Sequence, residues 1–137
     1  MTIKNSSLAS QAKYIYNLKF GDLFFYDDFL ITEIYEGMTI GSNEFNDIFN
    51  LCLEVYGPDK PYGIVSHRLF SYSVNIFELI PISNKFKVVI ANAVVAYTDF
   101  SLKNFELEKQ LLKFEGKFFN NLDSGITWIK KEIKKRA

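Results

Sequence analysis

The chain of 137 residues fits one domain, since single domains most often run to ~100–150 residues. Its 48% hydrophobic content is that of a folded chain and excludes a disordered one, and its 14 Phe and 8 Tyr supply a sizeable core. Sixteen basic residues balance sixteen acidic ones, so no global field favours nucleic acid or an anionic membrane, and a single cysteine, Cys52, excludes an intrachain disulfide.

Residues 1–17 read as a polar lead-in to a domain spanning 18–137. "LKFGDLFFYDDFLITEIYEG" has the Phe, Tyr, Ile and Thr content of two strands, joined by a turn at Asp27-Asp28. Strand alternation cannot bury Phe24, Phe25, Tyr26 and Phe29 on one face. Either both faces of the hairpin are covered, or some rings line an apolar pocket or a partner interface, with a homodimer through this hairpin as one form of the latter.

"SNEFNDIFNLCLEVYGPDKP" is the clearest helix. Ser42 caps it, Glu44 lies in its first turn, and Phe45, Ile48, Phe49, Cys52 and Val55 or Tyr56 form one apolar stripe. Gly57 and Pro58 stop it. "YGIVS" is then a short buried strand that delivers the chain into "VSHRLFSYSV".

A brief helix follows from Asn75, with Glu78 three residues later in a capping-box arrangement and Pro81 ending or distorting it. "KVVIANAVVAY" reads as a strand covered on both faces. "SLKNFELEKQLLKF" is a helix capped by Ser101 with Leu102, Phe105 and Leu112 on one face, and "GKFFN" is a short strand. "DSGITWIKKEIKKRA" closes the chain as a helix capped by Asp123, burying Ile126, Ile129 and Ile133, with Trp128 packing it onto the sheet. Strands alternating with helices after a hairpin imply an α/β fold, with a central mixed sheet of about five strands and helices packed on it.

The chemistry-bearing residues are few. His67 is the only histidine, so a His/Cys metal cluster within one chain is excluded, and no metal or cofactor is expected. Ser66 cannot serve His67 as a nucleophile, because neighbouring strand side chains point to opposite faces. Ser71 or Ser73 can fold back toward it with Asp22, Asp27 or Asp28 as orienter, but there is no G-x-S-x-G elbow, and no catalytic residue is assigned. Arg68, Ser71, Tyr72, Ser73 and Asn75 suit binding, since ligands of open α/β sheets sit at strand C-termini and a helix start adds an anion-friendly dipole. Cys52 lies on an apolar stripe, as a buried inert thiol does. Lys130, Lys131, Lys134, Lys135 and Arg136 read as a solvated cationic helix end, and no nucleic-acid-binding or phosphate-loop motif is present. No segment reaches the ~20 apolar residues that cross a bilayer, and the first residues lack a signal-peptide core, so a cytoplasmic protein is expected.

Three strings, "FYDDFLITEIYEGMTI", "PYGIVSHRLFSYSVN" and "KFFNNLDSGITWIKKEI", resemble the STAS-like family: domains similar to anti-sigma factor antagonists, and more narrowly small bacterial stand-alone members related to the lipid-binding SEC14-type fold. The likeness spans most of residues 18 to 135. It implies a non-enzymatic binding or regulatory module with a protein partner, contacted through the loop after the third strand. In that family a serine or threonine of this loop is phosphorylated, which makes Ser71 and Ser73 the corresponding positions, although the family's Asp-Ser pair and following Gly-Leu are missing here. The alternative function is carriage of a small apolar or lipid-like ligand in a pocket between sheet and helices.

Overall fold

The computed structural model describes residues 2–112 and 115–136. Two strands rich in Phe, Leu and Ile, β2 (Gly21–Phe25) and β3 (Phe29–Ile34), pair antiparallel around the Asp27-Asp28 turn. Every residue of both strands is buried, so the hairpin is covered on both faces. Phe24, Tyr26 and Phe29 enter the core on one side of the sheet and Phe25 the core on the other. The hairpin is also internal to the sheet, flanked by β1 (Tyr14–Asn17) and β5 (Tyr62–Arg68).

Three further crossovers complete the sheet. α2 (Ser42–Tyr56) links β3 to β5; α3 (Ile76–Ser83) links β5 to β7 (Val89–Ala96); α4 (Asp99–Leu112) links β7 to β8 (Gly116–Phe119). The order is β1-β2-β3-β5-β7-β8, antiparallel across β1, β2 and β3 and parallel from β3 to β8. The sheet is thus mixed and six-stranded, one strand more than expected. The additional strand is β1, which with α1 (Ser7–Gln11) lies in the segment read as a lead-in. That segment is built into the fold: Ile3 is wholly buried and the Tyr26 hydroxyl donates to the Leu8 carbonyl at 2.7 Å. A separate pair of two-residue strands, β4 (Thr39–Ile40) and β6 (Ser73–Val74), runs parallel beside the main sheet.

α5 (Leu122–Arg136) and the N-terminal segment cover one face, where Ile31, Val65, Ala93 and Val95 meet Ile126 and Ile129. Ile133 and Trp128 pack against this core, Trp128 with its ring 5.8 Å from that of Phe119. α2 covers the other face, where Leu23, Phe25 and Leu30 meet Ile48, Cys52 and Tyr62, and α3 packs on both α2 and α4. The hydroxyl of Tyr56, at the end of α2, lies 2.8 and 2.7 Å from the Tyr26 and Phe29 carbonyls and ties the helix to the hairpin turn.

The helix boundaries correct three caps. α2 starts after Gly41, whose N–H donates to Glu44 Oε1 at 2.6 Å, and Ser42 is already helical. Thr98, not Ser101, caps α4, because its hydroxyl accepts from the Ser101 N–H at 3.2 Å. Asn121, not Asp123, caps α5 by accepting from the Ser124 N–H at 2.8 Å. The cap is whichever side-chain oxygen reaches a free N–H two or three residues on, and these runs offer several of the right type. α3 continues two residues past Pro81, and Gly57 ends α2 with φ +81°. Lys113, Phe114 and Ala137, included in the expected helices, lie outside the described residues.

Close approach of α5 to the sheet depends on two glycines. A Cβ on Gly63 would stand 2.8 Å from Ile129 Cγ2, and one on Gly125 2.7 Å from Val95 Cγ2. Gly125→Ala is therefore expected to destabilise the fold by about 1–3 kcal/mol through overpacking, read as a lower midpoint of urea unfolding; an unchanged midpoint would show that the helix can lift without penalty.

Candidate functional site

β3, β5 and β7 run parallel and end together, so their carboxyl ends and the loops that follow form one edge of the domain. β5 is longer than the five residues expected and carries both His67 and Arg68. Alternation then sends these neighbours to opposite faces, where each meets a carboxylate.

Arg68 faces α4. Its Nη1 donates to Glu108 Oε2 at 2.8 Å and its Nη2 to Glu108 Oε1 at 2.5 Å, a bidentate pair with both side chains about nine-tenths buried. The Tyr72 ring lies 5.8 Å from the guanidinium. Both Nη atoms of Arg68, expected to face a ligand or partner, are engaged by a carboxylate of its own chain, which anchors the root of the loop. Burial holds the Tyr72 hydroxyl above its ordinary pKa.

The loop beyond Arg68 is strapped down by backbone bonds. The Ser71 carbonyl accepts from the Gly37 N–H at 2.8 Å, the Ser73 N–H donates to the Met38 carbonyl at 2.9 Å, and the Asn75 N–H donates to the Ile40 carbonyl at 2.8 Å. Ser71 and Ser73 are exposed. Asn75 caps α3, and its Nδ2 donates to Glu78 Oε2 at 2.6 Å. The other oxygen of Glu78 accepts from the Ser42 N–H and hydroxyl at 2.8 and 3.0 Å, which joins the starts of α2 and α3 and holds this carboxyl below its usual pKa. Phe77, in the first turn of α3, is 83% exposed, and Phe100, in the first turn of α4, is 69% exposed.

His67 faces the other way and is fully buried. Its Nδ1 lies 2.6 Å from Glu33 Oε2, and its Nε2 lies 2.7 Å from the hydroxyl of Tyr97, just past β7. Glu33 is buried too, and the same Oε2 accepts from the Ile3 N–H at 3.0 Å. The residues considered as partners for His67 are engaged elsewhere. Asp22 bonds the Tyr35 hydroxyl, Asp27 pairs with Lys13 at 2.5 Å, Asp28 pairs with Lys60 at 3.5 Å, and the Ser66 hydroxyl donates to Asn92 at 3.1 Å. Cys52 is buried, and burial pushes its thiol up to about 11, as befits an inert core residue.

The structure therefore brings Arg68, Tyr72, Ser71, Ser73 and Asn75 to one edge, with His67 turned to the opposite face. Sequence reasoning missed Glu33, Tyr97, Phe77, Phe100 and Glu108. Glu33 did leave a signal, as the lone acid in the apolar run "FLITEI"; the pairing with His67 follows only from register.

Comparison with known proteins bears on this architecture. A crystal structure of an uncharacterized protein of the DUF3478 family from Shewanella loihica PV-4, described as having a SpoIIAA-like fold, superposes with a TM-score of 0.58. The match covers 85% of this chain and 90% of that one at 12% sequence identity. The fold is STAS-like. No protein-family profile matches the chain, and no curated protein matches it. Among the described residues no helix is long and apolar enough to cross a membrane, and no three His, Cys, Asp or Glu side chains are grouped to hold a metal ion.

Removing one half of a buried bidentate pair leaves the other charge stranded. Arg68→Ala and Glu108→Ala should each destabilise the protein by ~3 kcal/mol, whereas the apolar double variant Arg68→Met/Glu108→Leu should recover most of that loss. Urea unfolding of the three variants checks this, and equal loss in the double variant would mean that packing, not charge, holds the loop root.

Proposed function

We propose that the protein is a non-enzymatic binding module that contacts a protein partner through the loop after β5 and the starts of α3 and α4, in the manner of an anti-sigma factor antagonist. The observation that carries this reading is the exposure of Phe77 and Phe100 in the first turns of two helices that pack together at that edge. Exposed aromatics on a rigid frame are what interface anchors look like, and the strapped loop beside them is preorganised by its backbone bonds. Ser71 and Ser73 stand exposed on that loop, where a phosphate would add about −1.5 to −2 charges and break an apolar contact. Arg68 and Glu108 hold the frame beneath. A cytoplasmic location fits this reading.

Affinity capture from native lysate, read by mass spectrometry, tests it. A partner held by the wild type should be lost with Phe77→Ala/Phe100→Ala and with Ser71→Asp. Equal capture by all three proteins would overturn the assignment of the surface, and phosphorylation mapped to neither Ser71 nor Ser73 would remove the switch.

A second reading, carriage of a lipid-like acid, is favoured by one cleft at the other end of the sheet. It holds about 410 Å³ between α1, the hairpin turn and α5, with Tyr26, Phe29, Ile126 and Ile133 as floor, and on its rim Lys130, Lys134 and Asp28 beside the Lys13–Asp27 pair. Tyr26 and Phe29 stack at 4.7 Å there. Native mass spectrometry of the purified protein should show a bound anionic amphiphile that Lys130→Glu/Lys134→Glu releases; a bare mass under gentle conditions would dispose of this reading.

A further inference from the structure

We infer that Tyr97 is a covalent acceptor site, whose hydroxyl, backed by His67 and Glu33, takes an acyl group from an activated ester or thioester. The inference goes beyond the binding reading and does not depend on it.

Three adjacent parallel strands place the parts. Pairing of Thr32 with Ser66 puts Glu33 beside His67, and pairing of His67 with Val95 puts Tyr97, two residues on, toward the same face. The result is a carboxylate, an imidazole and a hydroxyl in line, at 2.6 and 2.7 Å. Glu33 and His67 are 2% and 1% exposed, amid Ile31, Val65 and Val95. An ionisable pair so placed is often no better for stability than an apolar pair of the same volume. Tyr97 alone of the three reaches solvent, at 50% exposure.

The hydrogen bonds fix the roles. The Glu33 oxygen that faces His67 also accepts the Ile3 N–H, so it acts as an acceptor and Nδ1 carries the proton donated to it. In the neutral ring that leaves the Nε2 lone pair for the Tyr97 O–H, which is the orientation of a general base. Burial, and next the charge of Glu33, hold the Tyr97 hydroxyl above its ordinary pKa, so no free phenolate stands ready. His67 must take the proton as the new bond forms. In the step, Tyr97 Oη bonds to the acyl carbon, the bond from that carbon to the leaving oxygen or sulfur breaks, and the Oη proton passes through His67 Nε2 to the leaving group. Glu33 is a positioning residue that holds the imidazole in this tautomer.

Tyr14 is an internal reference, since it is 53% exposed and has no such base among its described contacts. The full-length protein is incubated with p-nitrophenyl acetate and the acetylated positions are mapped by peptide mass spectrometry over time. Tyr97 should label at least about tenfold faster than Tyr14, the low end of what a positioned base supplies. The excess should vanish in urea and fall in His67→Gln and Glu33→Gln variants whose circular dichroism is native. Labelling of Tyr97 no faster than Tyr14 in the wild type would overturn the inference whether or not those variants fold. So would undiminished labelling in a folded His67→Gln variant.

Discussion

In-register parallel pairing of β3, β5 and β7 is the constraint on which the remaining structure depends. Residues paired across parallel strands point the same way, so the register lines up Ile31 with Val65 and Ala93 in the core and, further along, Glu33 with His67. The same alternation sends Arg68 to the other face, onto Glu108 of α4. A slip of one residue in β5 would exchange the faces and take both side chains off their partners. The two buried pairs thus favour the register that creates them.

Much of this was legible in the sequence, and the exceptions have physical causes. The hairpin, α2 and α5 showed themselves through composition and period, because each buries a long continuous stripe or run. β1 and the N-terminal segment did not, because their contribution to the core rests on Ile3 and a few small side chains in a polar stretch. β4 and β6, at two residues each, are too short to show any period. The end of β5 was placed too early because "SHR" is polar, although each of its side chains has a buried or half-buried partner. Arg68 and Tyr72 stand out in the sequence as members of one polar group, Arg68 to Asn75. What they touch was hidden, since Glu108 lies 40 residues away in a helix whose pattern shows only that it is amphipathic. Glu33 and Tyr97 join His67 across separations of 34 and 30 residues, which only a register supplies.

The carboxyl edge of the sheet combines two properties that rarely suit one another. Beneath it, charged side chains are buried and paired with one another; above it, aromatic side chains stand in water. The β4–β6 ladder and the Glu78 bridge hold the surface layer in place without covering it. A loop fixed in this way has little conformational freedom left to lose on contact with another surface.

The position of Ile3 has a consequence for the order of folding. Ile3 and Leu8 share a core cluster with Ile126, Ile129 and Ile133, while the Ile3 N–H donates to Glu33 and the Leu8 carbonyl accepts from the Tyr26 hydroxyl. The N-terminal segment can therefore settle on the hairpin early, through contacts close in sequence. Its contact with α5 closes a far longer loop, which sets that contact late in the order of folding.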